Sequence, residues 1–476
     1  MLMRIGGKDT AGPDDRWIDV KNPATGVLID RVPSGTSEDV AHAVEVADAA
    51  SHGWKKTPMR ERGIILFHAA GLVREQHKEI AQLLTMEQGK PLRESIDEVR
   101  GFANILEYYA GISAHSSGEA IRLGPSGDCM VVQEPLGICG AIIPWNMPVI
   151  ILGWKIGPAL LAGNTMVVKP ASTTPLSSLR LAAILDKAGL PPGVLNMVTG
   201  SGESVGGAIV RHPLIRKVSF TGNCITGEKI RQNASGQLKD LTLELGGSDP
   251  MIVMDDADID RAVEGALRGR FYNAGQVCTA VKRLYVHDKI ADIFVRKLKG
   301  RVESLKTGNG LEPGIDLGPM NSAEQRERIS CMVSDLMEKG EGTILTGGCP
   351  MPGPSYDNGY FYSPTLVTGV HPGASLLTEE IFGPVLPVMS VPDLDTAILE
   401  ANRSRYGLGA SIWTKDLATT KRVFDQVNAG IIWVNRHLTI PPEIPFGGMN
   451  ESGIGRENGS HARESYSRTK TLFLGW

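Results

Sequence analysis

The most constraining feature of the sequence is a regular alternation of apolar, β-type runs with helical patterns between residues 138 and 245. The apolar runs predict strands at residues 138–143, 165–168, 194–198, 218–220 and 241–245. Helical patterns separate them, at residues 151–161, 174–188, 203–211 and 226–234. Five strands that alternate with helices of this size indicate βαβ units and a parallel sheet covered on both faces.

A second alternating region from residue 251 to 445 predicts another α/β unit. Its expected strands are residues 251–253, 283–286, 386–388, 410–412 and 431–434. Its expected helices are residues 258–269, 290–305, 323–339, 394–403 and 417–427. Residues 36–110 are predicted to be helical, residues 117–133 extended, and residues 470–476 a late strand.

Size and charge narrow the class of protein. A chain of 476 residues predicts two or three domains. With 49 basic and 53 acidic residues, the net charge of −4 gives no support for nucleic acid or an anionic membrane as a partner. The longest apolar stretch, residues 148–163, is interrupted by Lys155, Pro158 and two glycines, so no membrane span is expected.

Cysteine usage indicates a reducing compartment. Six cysteines are sparse for this length, and none forms a Cys-x-x-Cys pair. The first residues carry no apolar segment of the signal-peptide type. Clustered His and Cys spacings are also missing, so no metal site is expected, and the predicted localisation is cytoplasmic.

Unusual residues follow four of the predicted strands. They are Trp145-Asn146, Lys169, Gly222 and the segment from Glu244 to Gly247. In open parallel sheets, ligands bind beyond the carboxyl ends of the strands. Gly222 and Gly227 fit a strand-to-helix turn that approaches a phosphate, although an ordinary tight turn explains them equally well.

Three residue types suggest covalent chemistry. Cys278 lies among glycine and polar residues, and a helix beginning there would lower its pKa; the alternative is an inert thiol. Glu244 fits a general base or a surface acid. Asn146 fits an oxyanion donor or a helix cap.

Seven motifs together resemble the aldehyde dehydrogenase superfamily, in its order and at its spacings from residue 20 onward. They are Pro144-Trp-Asn146, Lys169-Pro170, Phe220-Thr-Gly222, Leu243-Glu-Leu-Gly-Gly247, Gly275-Gln-Val-Cys278, Glu380-Ile-Phe-Gly-Pro384 and Pro445-Phe-Gly-Gly448. The resemblance implies a Rossmann-type dinucleotide-binding domain (1–115 and 136–246) and an α/β catalytic domain (247–450). It also implies a small β oligomerisation element (116–135 and 460–476) that forms a homodimer or homotetramer.

The resemblance also implies a mechanism. Cys278 would attack the aldehyde, the Asn146 amide and the Cys278 N–H would hold the oxyanion, and hydride would pass to the nicotinamide. Glu244 would then activate the water that hydrolyses the thioester. Members that transfer the acyl group to coenzyme A generally lack this carboxylate, so the chain is expected to be hydrolytic.

Cofactor roles follow from the same resemblance. Glu380 would hold the nicotinamide ribose and Phe382 would pack against the nicotinamide. Lys169 would bind the adenosine ribose with Trp145 beside it. The pyrophosphate would lie over Gly222 to Gly227, and Leu245 is assigned to the same site.

Ser172 decides the expected cofactor. NAD-preferring relatives usually carry a glutamate at this position, and its charge would repel a 2′-phosphate. Serine leaves room and a hydrogen-bond donor. NADP is therefore the predicted preference, with NAD possible.

Substrate residues are predicted at two places. Trp154 and Tyr272 match positions where succinate-semialdehyde members carry arginines, so an anionic substrate would lose its partners. Arg436 and His437 border the expected substrate entrance and suit a small hydroxyaldehyde such as lactaldehyde or glyceraldehyde. Aromatic, aliphatic and succinate-semialdehyde substrates are the alternatives. A different class, an inactive dinucleotide-binding structural protein, stays open.

Overall fold

Two sheets with parallel centres organise the chain in the computed structural model, which describes residues 1–12, 16–115 and 118–475. The strands are β1 Met3–Ile5, β2 Lys8–Thr10, β3 Trp17–Lys21, β4 Leu28–Pro33, β5 Gly118–Arg122, β6 Asp128–Pro135, β7 Ile138–Ile142, β8 Thr165–Lys169, β9 Leu195–Met197, β10 Ile215–Thr221, β11 Asp240–Glu244, β12 Asp249–Val253, β13 Val281–His287, β14 Thr343–Thr346, β15 Thr365–Thr368, β16 Val385–Val391, β17 Gly409–Trp413, β18 Ile431–Val434, β19 Gly453–Ile454 and β20 Ser467–Leu474.

Helices connect these strands. They are α1 Ser37–Lys56, α2 Met59–Glu75, α3 His77–Gln88, α4 Leu92–Ile112, α5 Pro148–Ala162, α6 Leu176–Lys187, α7 Gly207–Arg211, α8 Cys224–Ala234, α9 Ile259–Phe271, α10 Asp288–Glu303, α11 Ala323–Glu338, α12 Ser375–Thr378, α13 Leu394–Asn402, α14 Leu417–Gln426 and α15 Gly459–Ser465.

The first sheet has the order β19-β11-β10-β7-β8-β9-β1-β2. Its five central strands are parallel, and β19, β1 and β2 add antiparallel edges. Both faces are buried: on β8, Met166 and Val168 belong to one hydrophobic cluster while Val167 belongs to another. This alternation explains why the central strands are apolar throughout rather than every second residue.

The second sheet has the order β14-β15-β16-β13-β12-β17-β18 and is parallel except at β14. The five strands predicted for this region all form. The short β14 and β15 were not predicted. The α/β fold class with two parallel-centred sheets is therefore confirmed.

A three-stranded antiparallel sheet, β20-β6-β5, combines the extended segment with the C-terminal strand. Its exposed apolar residues are Ile121, Met130, Val132, Leu472 and Phe473. The predicted element begins at residue 460, but residues 459–465 form α15 and the strand begins at Ser467. Ser116, Ser117 and Trp476, also assigned to it, lie outside the described residues. Its role in oligomerisation stays a prediction.

Two features are absent from residues 1–12, 16–115 and 118–475. No helix there is long and apolar enough to cross a membrane. No group of three or more His, Cys, Asp or Glu side chains in those residues is placed to hold a metal ion.

Candidate active site

Parallel strands bring four of the predicted positions to one edge of the first sheet. Asn146 follows β7, Lys169 ends β8, Gly222 follows β10 and Glu244 ends β11. A cavity of about 300 Å³, here called the strand-end cavity, opens at this edge. Its lining includes Trp145, Asn146, Lys169, Ser172, Gly222, Leu245, Cys278, Glu380 and Phe382.

Cys278 lies between two cavities. Besides the strand-end cavity, it lines a second space of about 380 Å³ that we call the apolar cavity. Most of its lining is apolar or aromatic: Met147, Ile150, Ile151, Trp154, Tyr272, Val277, Leu438 and Ile440. The polar lining residues besides Cys278 are Asp97, Glu98, Arg268 and Thr279. One thiol therefore borders both a polar cleft and an apolar pocket.

The backbone before Cys278 turns sharply. Asn273, Ala274 and Gly275 have φ angles of 50°, 51° and 74°. The left-handed conformation is unfavourable for the first two residues and needs support from outside the turn. The Asn273 N–H donates to Glu94 Oε2 at 2.8 Å, and a Cβ on Gly275 would lie 2.3 Å from the Gly383 carbonyl oxygen. These contacts fix Cys278 against the Glu380–Pro384 segment.

The expected helix N-terminus at Cys278 is wrong. The residue lies in a turn between the Tyr272–Gly275 3₁₀ helix and β13. Burial, followed by the carboxylates of Glu244, Asp249 and Glu380, raises the pKa of Cys278 to about 12, against the opposing charge of Lys282. The free protein therefore holds Cys278 as a neutral thiol.

This protonation state predicts a steep pH dependence of Cys278 alkylation. Since the thiolate reacts and the pKa lies near 12, the iodoacetamide rate should rise roughly tenfold per pH unit from about pH 6 to about pH 9. Peptide mapping by mass spectrometry separates Cys278 from the five other cysteines. A rate that levels off below about pH 8 would mean that the thiol is activated without dinucleotide.

Asn146 is not a helix cap. The N-cap of α5 is Met147, and its helix end has no side-chain cap. The Asn146 side chain is buried, and its Nδ2 donates to the Gln276 carbonyl oxygen at 3.0 Å. An amide nitrogen carries two hydrogens, so a second one is left to donate near Cys278.

Glu244 is not a surface acid. It is 2% exposed, and neither carboxylate oxygen has a hydrogen-bond partner among the described residues. Burial and then the charge of Glu457 raise its pKa well above the ordinary range, against Lys155 and Arg456. A Cβ at Gly447 would lie 2.7 Å from Glu244 Oε1, which explains the glycine in the Pro445–Gly448 motif.

Lys169 and Ser172 occupy one end of the strand-end cavity. Burial lowers the pKa of Lys169 to about 8, and its Nζ donates to the Pro170 carbonyl oxygen at 2.9 Å. The Ser172 hydroxyl donates to the Gly200 carbonyl oxygen at 3.0 Å. No carboxylate occupies position 172, and the half-buried hydroxyl borders the cavity.

Glu380 and Phe382 lie at the Cys278 end. Glu380 Oε1 accepts the Gly247 N–H at 3.1 Å and lies 3.4 Å from Lys282 Nζ. A Cβ on Gly246 would lie 2.4 Å from Glu380 Oε2, so only glycine fits there. The Trp145 ring meets the Phe382 ring edge-on, with centroids 5.4 Å apart. Trp145 therefore contacts Phe382, and its place beside Lys169 stays a prediction.

Gly222 and Gly227 differ in placement. Gly222 lines the strand-end cavity, and its N–H donates to the Glu244 carbonyl oxygen at 3.0 Å. Gly227 lies inside α8, where a Cβ would be 2.5 Å from Leu245 Cδ2, and it borders a separate surface depression. Close packing on Leu245 explains Gly227 without a phosphate. Asn223 and Thr226 line the cavity at this turn and were not predicted.

Trp154 and Tyr272 both line the apolar cavity, as their assignment to the substrate requires. Trp154 packs on Phe446 with ring centroids 5.1 Å apart. The Tyr272 hydroxyl donates to the Glu94 carbonyl oxygen at 3.4 Å. Their rings leave the cavity wall largely apolar.

Arg436 and His437 do not line the apolar cavity, although they were predicted to border the substrate entrance. Arg436 is exposed, while His437 is buried with Nε2 2.7 Å from the Thr279 carbonyl oxygen and Nδ1 2.9 Å from Ser411 Oγ. Burial lowers the pKa of His437 to about 4, so the ring is neutral. The loop contributes Leu438 and Ile440 to the cavity instead.

Several residues of the site were not predicted from the sequence. Lys282 is fully buried and donates to the carbonyl oxygens of Val277 and Cys278 at 3.1 and 2.5 Å. Gln325 and Arg328 from α11 line the strand-end cavity. Lys282, Gln325 and Arg328 reach the site because distant segments pack together, and no local sequence pattern indicates such packing.

Comparison with known proteins agrees with this geometry. The model of the aldehyde dehydrogenase family matches residues 10–472. A phenylacetaldehyde dehydrogenase from Pseudomonas fluorescens is 42% identical, covering 100% of this chain and 96% of its own length. A betaine aldehyde dehydrogenase from Rhizobium etli is 40% identical, covering 99% and 96%.

Solved structures share the whole fold. The crystal structure of an E. coli NADP-dependent enzyme superposes with a TM-score of 0.97 at 36% identity. The match covers 100% of this chain and 98% of that one.

Proposed function

Because the chain belongs to the aldehyde dehydrogenase family, we propose that it oxidises an apolar, aromatic aldehyde to its carboxylic acid, with NADP preferred over NAD. The observation that carries the proposal is the position of Cys278, which borders a polar strand-end cavity and an apolar cavity at once. The reaction needs a nucleophile that can reach the aldehyde and the oxidant together.

In the proposed mechanism, the Cys278 thiol gives up its proton to solvent water, and Sγ attacks the aldehyde carbon to give a thiohemiacetal oxyanion. The free N–H of the Asn146 amide and the Cys278 N–H stabilise the oxyanion. NAD(P), when bound, supplies the hydride acceptor that leaves a thioester on Cys278. Glu244 then accepts a proton from the water that attacks the thioester, and the acid leaves.

The strand-end cavity fits a dinucleotide in its own geometry. Glu380 is held at the Cys278 end by Gly247 and Lys282, where its carboxylate suits ribose hydroxyls. Lys169 offers the remaining N–H donors of its ammonium group at the other end, where the Ser172 hydroxyl also borders the cavity and brings no negative charge. At the Cys278 end, Gly246 lies so close to the Glu380 carboxylate that a side chain at position 246 would collide with it. The glycine therefore keeps this end of the cavity open.

An aromatic substrate is favoured by the lining of the apolar cavity. Aliphatic and aromatic groups of Ile150, Trp154, Tyr272 and Leu438 line it, so an aromatic ring gains from burial. The hydroxyaldehyde prediction depended on Arg436 and His437, whose polar groups are exposed or already paired. The phenylacetaldehyde dehydrogenase relative supports the aromatic choice.

A quaternary ammonium aldehyde is the second candidate. Trp154 and Tyr272 present aromatic rings at the cavity. The carboxylates of Asp97 and Glu98 also line it, opposed by one cation, the exposed Arg268. Aromatic faces and a carboxylate attract a fixed cation. The betaine aldehyde dehydrogenase relatives support this candidate.

A substrate panel tests the proposal. Reduced-nicotinamide formation is measured with NADP and NAD for phenylacetaldehyde, benzaldehyde, betaine aldehyde, lactaldehyde, glyceraldehyde, an aliphatic aldehyde and succinate semialdehyde. We expect the highest kcat/KM for phenylacetaldehyde or benzaldehyde. A clear lead for lactaldehyde or succinate semialdehyde would contradict the aromatic assignment. NADP binding without any turnover would favour the inactive binding protein.

Ser172→Glu is expected to raise the KM for NADP by about tenfold or more, because the new carboxylate would repel the 2′-phosphate. The KM for NAD should stay level or fall. Ser172→Gln is the matched control, since it adds the same bulk without charge and should keep more NADP use. Equal NADP constants for both variants would count against the assignment.

Three further expectations stay proposals. Domain boundaries 1–115 with 136–246, and 247–450, follow the two sheets approximately. A homodimer or homotetramer would cover the exposed β20-β6-β5 sheet. Cytoplasmic localisation rests on the cysteine usage, to which the structure adds six free thiols.

A further inference from the structure

A buried ion pair lies beside Asn146, and its carboxylate, that of Glu98, belongs to the lining of the apolar cavity. Lys90 Nζ lies 2.6 Å from Glu98 Oε2, and both side chains are 0% exposed. The same Nζ donates to the Asn146 carbonyl oxygen at 2.7 Å and contacts Met147 Sδ at 3.2 Å. The ammonium therefore holds the peptide group of Asn146 directly.

Glu98 extends this hold into α5. Its second oxygen, Oε1, accepts the N–H groups of Val149 and Ile150 at 2.8 and 3.1 Å. These are first-turn donors that no side chain of α5 itself satisfies. One carboxylate thus joins Lys90 to the start of the helix that follows Asn146.

Lys90 itself is fixed by its surroundings. It follows Gly89, whose φ of 104° ends α3, and its N–H donates to Gln88 Oε1 at 2.9 Å. A Cβ on Gly89 would lie 2.9 Å from Pro319, so the turn is held against the catalytic domain. Little freedom is left for the Lys90 stem to shift the contact with Asn146.

We propose that Lys90 and Glu98 are positioning residues that set the direction of the Asn146 amide toward the oxyanion. The inference rests on the proposed oxyanion role of Asn146. A buried ion pair adds little net stability compared with apolar residues, but it fixes geometry when its hydrogen bonds are complete. Displacing a catalytic donor by about 1 Å is costly for rate.

A double-mutant cycle tests the proposal. The paired variant Lys90→Met/Glu98→Gln removes both charges together, so no lone charge stays buried. We expect kcat for aldehyde oxidation to fall by about 10- to 100-fold, with the KM for NADP little changed. In the Asn146→Ala background the same two substitutions should lower kcat by less than about twofold, because the amide donor that Lys90 and Glu98 position is gone.

Matched variants separate positioning from folding. Arg4→Met/Asp186→Asn removes a partly buried ion pair between β1 and α6 and should leave kcat unchanged. The thermal midpoint and the fluorescence of bound NADPH check that each variant folds and keeps its cofactor site. If the paired variant does not fold, Lys90→Arg keeps the charge and displaces the donor, and its effect on kcat should likewise vanish without Asn146.

Three results decide the matter. If Lys90→Met/Glu98→Gln lowers kcat by the same factor in the Asn146→Ala background as in the wild type, the positioning role is overturned. An unchanged kcat in folded Lys90→Met/Glu98→Gln would do the same. If Asn146→Ala alone leaves kcat intact, the proposed oxyanion role fails instead, whatever the ion pair does.

Discussion

Replacement of Cys278 with alanine is expected to lower kcat by about 10⁴-fold or more for every aldehyde in the panel. Alanine has no nucleophile, and no second thiol lines either the strand-end or the apolar cavity among the described residues. The dinucleotide should still bind, since the thiol makes none of the contacts at Lys169, Ser172 or Glu380. Reduced-nicotinamide absorbance and cofactor fluorescence measure the two effects separately.

Cys331→Ala is the control for this variant. Cys331 is exposed on α11, and its thiol contacts Glu327. Its replacement should leave kcat and KM at the wild-type values. Turnover of Cys278→Ala within about tenfold of wild type would rule out the covalent mechanism.

Glu244→Gln is expected to separate the two halves of the reaction. Without a carboxylate to accept the proton from water, thioester hydrolysis should slow by about 10²- to 10⁴-fold. Each subunit should then form about one equivalent of reduced nicotinamide in a burst and nearly stop. Stopped-flow absorbance measures the burst amplitude and the following steady rate.

The pH dependence of the hydrolysis rate is a second test of Glu244 as the general base. Because burial raises its pKa, the carboxylate base is lost as pH falls, so the wild-type hydrolysis rate should rise with pH. The slow rate of Glu244→Gln should lack this limb. A steady rate unchanged from wild type would show that another group activates water.

The sheet framework could be predicted from the sequence because its signals are local. The apolar runs around Val167 and Val218 are continuous, since both faces of the sheet are buried. Strand direction then places Asn146, Lys169, Gly222 and Glu244 at one edge. These residues meet because parallel strands end at the same edge, which the alternation predicts. The strand order and the edge strands β1, β2 and β19 were not predicted.

Loop side chains could not be placed in the same way. Arg436 and His437 precede Leu438 by one or two residues, yet only Leu438 faces the apolar cavity. The direction of the His437 side chain depends on Thr279 and Ser411, which come from distant segments. The hydroxyaldehyde prediction therefore gains no support from the positions of Arg436 and His437.

The Cys278 environment shows the same limit. A thiol among Gly and polar residues suggests exposure and activation, but the charges around it come from Glu244, Asp249, Lys282 and Glu380. Three of these four groups are distant in sequence. Burial first, and then the three carboxylates against Lys282, raise the pKa of the thiol, and the local motif signals neither effect.

Peptide mass spectrometry of Glu244→Gln tests the central claim most directly. The variant is mixed with NADP and phenylacetaldehyde, quenched in acid at the end of the burst, and digested. We predict one acyl group per subunit, on the peptide that contains Cys278, matching the reduced nicotinamide formed. Reduced nicotinamide without an adduct on Cys278, or an adduct on another cysteine, would contradict the assignment of Cys278 as the nucleophile.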